Sequence, residues 1–226
     1  EAVAAADTIV FDKTGTLTKA RPQVADVVVF NGQDKNELLR IAACLEEHFP
    51  HSMANAVVTE AVKRGLVHQE MHSRVDYIVA HGIATYVGDE RVVIESYHFV
   101  FEDEGCRIPE DGKEAFDSLP SEYSHLYLAI GGVLAAVICI EDPLREEADA
   151  VISALHRQGI SKIVMMTGDS ERTARAIAAR VGVDECYSEV LPEDKAGFVE
   201  AEKKKGHKVI MIGDGINDSP ALSSAD

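Results

Sequence analysis

A chain of 226 residues with 46% hydrophobic content has room for one large or two modest domains and enough apolar material for a core. Its 22 basic and 39 acidic residues give a formal charge of −17, which repels nucleic acid and anionic membrane surfaces and excludes both as natural partners. Cys44, Cys106, Cys139 and Cys186 stand far apart with no CxxC pair, so the reading is of reduced cysteines in a cytosolic setting, not a zinc knuckle or a disulfide framework. Glu1 opens the chain without a Met or a basic leader, as expected of a piece of something longer.

The first apolar run, Ile9, Val10 and Phe11, predicts a buried strand that ends on Asp12 and continues into Lys13, Thr14, Gly15 and Thr16. Between about Arg21 and Ile140 the texture changes to short strands at 25–30, 77–94 and 126–140, with helical patterning at 34–47 and 52–64. The stretch LYLAIGGVLAAVICI (126–140) is shorter than the roughly 20 residues of a membrane helix, and Gly131-Gly132 at its middle predicts two buried strands joined by a turn. His68 and His72 have an i, i+4 spacing that could bind a metal, although exposed residues are the plainer expectation. This section reads as an antiparallel sheet carrying a few helices.

From Asp142 onward helix and strand patterns alternate. Ala148, Val151, Ile152 and Leu155 share one helical face that Gly159 is placed to end, and Ala174, Ile177, Ala178 and Val181 mark a second helix closed by Gly182. Two further apolar strands end in acid: KIVMMTGD (162–169) on Asp169 and HKVIMIGDG (207–215) on Asp214. Such repeats build a parallel sheet with helices on both faces, whose ligand crevice lies at the carboxyl ends of the strands. Three acids converging there, Asp12, Asp169 and Asp214, predict a cation between them, while Asp169 could instead cap the helix that follows it. The expected architecture is therefore α/β, with a discontinuous parallel domain (1–20 and 141–226) and an inserted α+β domain (21–140) joined by hinges.

DKTGTLT (12–18), TGD (167–169), LPEDK (191–195) and GDGINDSPAL (213–222), in this order and spacing, resemble the phosphorylation domain of the P-type cation-transporting ATPases of the haloacid dehalogenase superfamily. The resemblance implies a Rossmann-like sheet and transfer of the ATP terminal phosphoryl to Asp12, with Lys13, Thr14 and Thr16 completing the loop around the nucleophile. It also implies Mg2+ held by Asp12, the Thr14 carbonyl and Asp214, with Asp218 and Asn217 as outer contacts. Lys195 would neutralise the phosphoryl group, with an ordinary surface position as its alternative; Thr167 and Gly168 would donate hydrogen bonds, and Asp169 closes the TGD motif. Phosphatases of the superfamily carry a second Asp two residues after the nucleophile, where this chain has Thr14. Without that general acid and base, worth roughly 100- to 10,000-fold, the phosphoenzyme is expected to hydrolyse slowly, which suits a pump better than a soluble phosphatase.

The small insert resembles the nucleotide-binding domain of the heavy-metal transporters in this family, which carry a Ser-Glu-His-Pro-like motif and a Gly-x-Gly loop. EEHFPHSMANAVV (46–58) offers two registers: His51, with Glu47 supplying the acid, is favoured, and the Glu47-His48 pair is the alternative. Ala80 and Gly82 of AHGIA stand in the Gly-x-Gly places, and Gly88 with Asp89 is either a further contact or a plain hairpin turn. On this resemblance the chain is the ATP-binding and phosphorylation segment of a heavy-metal-type ATPase. Its partners would be ATP, the actuator and transmembrane domains of the same protein, and a transported ion such as copper, silver, zinc, cadmium, cobalt or nickel. It would lie on the cytoplasmic side of a membrane.

Overall fold

The computed structural model describes residues 6–49, 51–66, 76–78, 82–191, 194–213 and 219–225, with backbone alone at 76–78 and 219–221. In chain order the elements are β1 (Thr8–Asp12), β2 (Gln23–Val29), α1 (Lys35–Glu46), α2 (Ser52–Lys63), β3 (Asp76–Ile78), β4 (Gly82–Val87), β5 (Glu90–Glu95), α3 (Lys113–Asp117), β6 (Ser124–Ile130), β7 (Val133–Glu141), α4 (Ala148–Arg157), β8 (Lys162–Met166), α5 (Glu171–Val181), β9 (Glu185–Tyr187), α6 (Lys195–Lys204), β10 (Val209–Ile212) and α7 (Ser219–Ser224). They group into two compact units, Glu1–Ala20 with Asp142–Asp226, and Arg21–Glu141.

The first unit is built on a parallel sheet of order β10-β1-β8-β9. All five residues of β1 are buried, because its odd side chains Ile9 and Phe11 enter one apolar cluster with Ile152, Met165 and Ile177 while Val10 enters a second with Val164, Met166 and Val199. A strand packed on both faces reads as an unbroken apolar run, as TIVF does. Ser170, not Asp169, caps α5 by accepting from Thr173 N, and Gly182 ends that helix in the left-handed region at φ 81°. Val151 departs from its expected place: it is 43% exposed, since the buried stripe of α4 is narrow and rests on Ala148 and Ile152.

In the second unit the antiparallel sheet has the order β2-β7-β6-β5-β4-β3. One face carries α1 and α2 over Leu39, Ala42, Val57, Ile94, Leu126, Leu128 and Ile138; the other carries Phe99, Leu119, Tyr127, Leu134 and Val137. With both faces covered, β6 from Leu126 and β7 up to Ile140 run apolar without alternation, which accounts for their membrane-like appearance. Gly131 and Gly132, both at positive φ (60° and 77°), form the two-residue turn between them. Asp34 caps α1 by accepting from Asn36 N and Glu37 N.

Behind β8 a buried acid ties three elements together. Glu202 accepts from Lys162 Nζ at 3.0 Å, Lys205 Nζ at 2.7 Å and the Tyr187 hydroxyl at 3.2 Å. Burial alone pushes its pKa up, but the hydrogen bonds from Lys205 and Lys162 outweigh this and hold it at about 2. A carboxylate depressed below its unfolded value of about 4.3 contributes stability at neutral pH that is lost as pH falls towards 2. Glu202→Ala is therefore expected to cost about 3 kcal/mol at pH 7. Urea unfolding at pH 7 and pH 3 checks this, the gap between wild type and variant narrowing at the lower pH.

Candidate active site

Asp12 ends β1 opposite Met166 of β8, and the chain leaves the sheet edge in a tight reversal. Thr14 (φ −72°, ψ 125°) and Gly15 (φ 81°, ψ −18°) have the dihedrals of a type II turn, whose third position requires positive φ and hence glycine. The turn is braced: Thr18 N donates to Lys13 O at 3.1 Å, and the Thr18 hydroxyl accepts from Gly15 N at 3.1 Å while donating to Asp142 Oδ2 at 2.6 Å. Arg145 donates to the carbonyls of Thr16 (3.0 Å) and Gly15 (3.2 Å). Thr14 itself is exposed.

Two buried lysines meet two acids here. Lys195, the first residue of α6, places Nζ 3.0 Å from Asp12 Oδ2, and both residues are under 10% exposed. This overturns the surface alternative for Lys195. Lys13 Nζ stands 2.6 Å from Asp169 Oδ2, so Asp169 holds the base of the loop and does not cap a helix. Thr167 is 2% exposed at the end of β8 and accepts from Asp169 N at 3.1 Å, leaving its hydroxyl proton to donate. An added Cβ on Gly168 would lie 3.8 Å from Val190 O, an ordinary contact, and this residue is exposed beside the buried Thr167. Asp214, Asn217 and Asp218 lie outside the described residues, as do Ala80, His68 and His72.

A second cluster lies in the other unit. His51 caps α2 through Nδ1, which accepts from Ala54 N at 3.4 Å, and turns Nε2 to within 3.3 Å of Glu46 Oε2 and 3.8 Å of Glu95 Oε2. Its partner is thus Glu46, whereas Glu47 stands 3.8 Å from His48 Nε2. Glu46 is fully buried, and neither of its oxygens has a well-formed hydrogen bond among the described residues. The Glu46 carboxylate raises the His51 pKa above the usual imidazole value. These three groups fall within 4.8 Å of one another, a spacing a metal ion could bridge. With Nδ1 accepting from a backbone N–H, however, the proton sits on Nε2, and the ring offers the carboxylates a donor and not a lone pair. Gly88, at φ 61°, is an exposed residue of the β4-β5 turn.

Arg145, Glu46 and Glu95 went unmarked in the sequence. A signal existed for Glu46, which follows Leu38, Leu39, Ala42 and Leu45 on the buried stripe of α1, where a carboxylate is costly without a purpose. None existed for Arg145, whose role depends on a turn 130 residues away.

The family model described as haloacid dehalogenase-like hydrolase matches residues 6–226, and the chain belongs to that family. Within it the chain is similar to metal-transporting P-type ATPases. It is 41% identical to Copper-transporting ATPase 1 of Rhizobium meliloti (strain 1021) over 98% of its length and 26% of that protein. It is 37% identical to the Manganese-exporting P-type ATPase of Mycobacterium tuberculosis (strain ATCC 25618 / H37Rv), covering 97% of this chain and 31% of that one. The chain thus spans about a quarter to a third of these relatives. Among solved structures it resembles a zinc-transporting PIB-type ATPase in its E2.Pi state (TM-score 0.70, 32% identity, 99% of this chain and 36% of that one). It also resembles the catalytic domain of the CPx-ATPase CopB-B (TM-score 0.72, 28% identity, 99% and 77%).

Proposed function

We propose that the chain is the ATP-binding and phosphorylation segment of a heavy-metal P-type ATPase, and that Asp12 accepts the terminal phosphoryl of ATP. The observation that carries this is the buried Asp12–Lys195 contact of 3.0 Å at the end of the central strand. Asp12 attacks the terminal phosphorus, the bond to the bridging oxygen breaks, ADP leaves, and an aspartyl phosphate remains. Lys195 offsets negative charge as the phosphoryl arrives, and the Thr167 hydroxyl and Gly168 N–H donate to its oxygens. Lys13, pinned by Asp169, and Arg145, which holds the Gly15 and Thr16 carbonyls, keep the turn rigid so that the Asp12 carboxylate meets phosphorus in line.

Mg2+ fits the donor set of this loop, because Asp12 and the Thr14 carbonyl offer the oxygen ligands a hard cation takes, and Asp214 is the third ligand implied by the motif. When bound it shields phosphate charge from the attacking carboxylate. Thr14 provides no carboxylate to activate water, so the aspartyl phosphate outlasts the transfer step. The test is to give the full-length, membrane-embedded protein MgATP labelled in the terminal phosphate. Acid-stable, hydroxylamine-sensitive label on Asp12 is the expected result, with poor turnover of small phosphate esters.

The nucleotide is held by the unit Arg21–Glu141, with His51 against the adenine and Glu46 fixing its ring; the similar catalytic domain of CopB-B, which changes conformation upon nucleotide binding, supports this reading. The crossings near residues 20 and 141 act as hinges. His51→Ala is expected to weaken ATP binding by roughly 10-fold or more, and His48→Ala by no more than about 2-fold, since His51 faces the fully buried Glu46 at 3.3 Å while His48 faces the partly exposed Glu47 at 3.8 Å. Calorimetric titration with ATP ranks the two, and the reverse order would move the site to the Glu47-His48 register. Relatives named for copper, manganese and zinc match this chain to similar degrees, as expected if the ion is chosen by membrane segments of the full-length protein. Among the described residues no helix is long and apolar enough to cross a membrane.

A further inference from the structure

The cluster around His51 contains one carboxyl more than an ion pair with a single imidazole needs. Glu46, fully buried behind the ring, already serves His51 from α1. Glu95 approaches from a different element, at the end of β5, with its side chain about one-fifth exposed. The fold makes room for it. Glu95 pairs with Gly82 across β4, and a Cβ on Gly82 would fall 2.7 Å from Glu95 Cβ and 2.3 Å from Phe99 Cδ1, so any larger residue would drive Glu95 or Phe99 from its place. The described titratable groups facing Glu95 are Glu46 from α1 and His51 from the start of α2; Gly82 of β4 and Phe99 bring none.

We infer that Glu95, held beside His51 and Glu46 in the space left by Gly82, is a base-reading residue of the nucleotide site, its carboxyl presented to the amino group and adjacent ring nitrogen of adenine. This rests on the reading of His51 as an adenine contact. Burial, reinforced by the Glu46 charge and only partly opposed by His51, pushes the Glu95 pKa up to about 7. Below that pH the carboxyl carries both a donor and an acceptor, matching the donor–acceptor pair of adenine in the way an amide side chain does. Above it the group only accepts. It then faces the adenine ring nitrogen with lone pairs, and suits guanine, whose adjacent N–H groups both donate. A Glu95 kept neutral chiefly by burial therefore favours adenine, and ionising it erodes the preference.

The experiment is calorimetric titration of the whole chain with ADP and GDP between pH 6 and 8.5, for wild type, E95Q, E95A and H51A, each first checked by thermal melting. Wild type is expected to prefer ADP at pH 6 and to lose roughly 10-fold in ADP affinity by pH 8.5. E95Q, which offers the same donor–acceptor pair at every pH, keeps the pH 6 affinity within about 3-fold and does not lose it on alkalinisation; the ratio of the two proteins cancels the ionisation of the phosphates. E95A loses roughly 10- to 100-fold at pH 6, the range of one bidentate base contact. If H51A weakens binding while E95A matches wild type, or E95Q retains the alkaline loss, the role of Glu95 is overturned and the nucleotide site stands. If H51A also binds ADP like wild type, the nucleotide site itself is misplaced.

Discussion

Asp12→Asn should eliminate phosphoryl transfer, with labelling falling by at least ~1,000-fold, and leave ATP binding within about 2-fold of wild type. The amide nitrogen and oxygen of Asn carry no negative charge and make no acyl phosphate, so the covalent step has no nucleophile. Asn has the volume of Asp and can still accept from Lys195 through its carbonyl, which keeps the end of β1 packed and makes a folding defect the poorer explanation of any loss. The cluster of Glu46, His51 and Glu95, proposed above to hold the nucleotide, belongs to the other unit, so the two functions are expected to separate. Labelling with terminal-phosphate-labelled ATP, with calorimetry on the same preparation, measures both. Equal loss of binding and labelling would falsify the division of labour, and persistent label would move the nucleophile elsewhere.

Lys195→Ala is expected to reduce the rate of labelling by roughly 100- to 1,000-fold, the usual cost of removing one preorganised charged donor from a site of developing negative charge. The ammonium is compact, buried and 3.0 Å from Asp12 Oδ2, the proposed attacking group, and no cation from solvent can take up that position without reorganising the site. Lys195→Arg should recover little, because a planar guanidinium does not fit a space shaped by a point charge at the start of α6. A single-turnover labelling rate at saturating ATP isolates the chemical step. If that rate is unchanged while the melting temperature falls, Lys195 braces the fold and takes no part in transfer.

Much of the parallel unit could be read from its residues, because a strand covered on both faces has no choice but an unbroken apolar run, and TIVF, KIVMM and VIMI each end at the same sheet edge. The two-residue turn at Gly131-Gly132 was equally plain, since few other pairs tolerate positive φ twice. What escaped was decided by distance. Nothing within ten residues of Glu46 announces that it will face Glu95 of a later strand, and the neighbouring Glu47, equally acidic, turns to His48 instead. A one-residue difference on α1 separates the buried stripe from its rim, and composition is blind to it. Lys195 was legible through the motif and not through its surroundings: LPEDK by itself has the polarity of a surface loop, and it is the start of α6 that brings the ammonium to Asp12.

The central strand of the parallel sheet comes from the first dozen residues, while its two neighbours, β8 and β10, begin at Lys162 and Val209. On a ribosome making roughly 5 to 20 residues per second, TIVFD therefore waits about 8 to 30 seconds for its first partner. The intervening unit, whose strands from β3 to β7 pair with near neighbours in the chain, has time to form meanwhile. A newly made chain must keep one sticky apolar segment unpaired throughout that interval, which makes it a natural client for a chaperone.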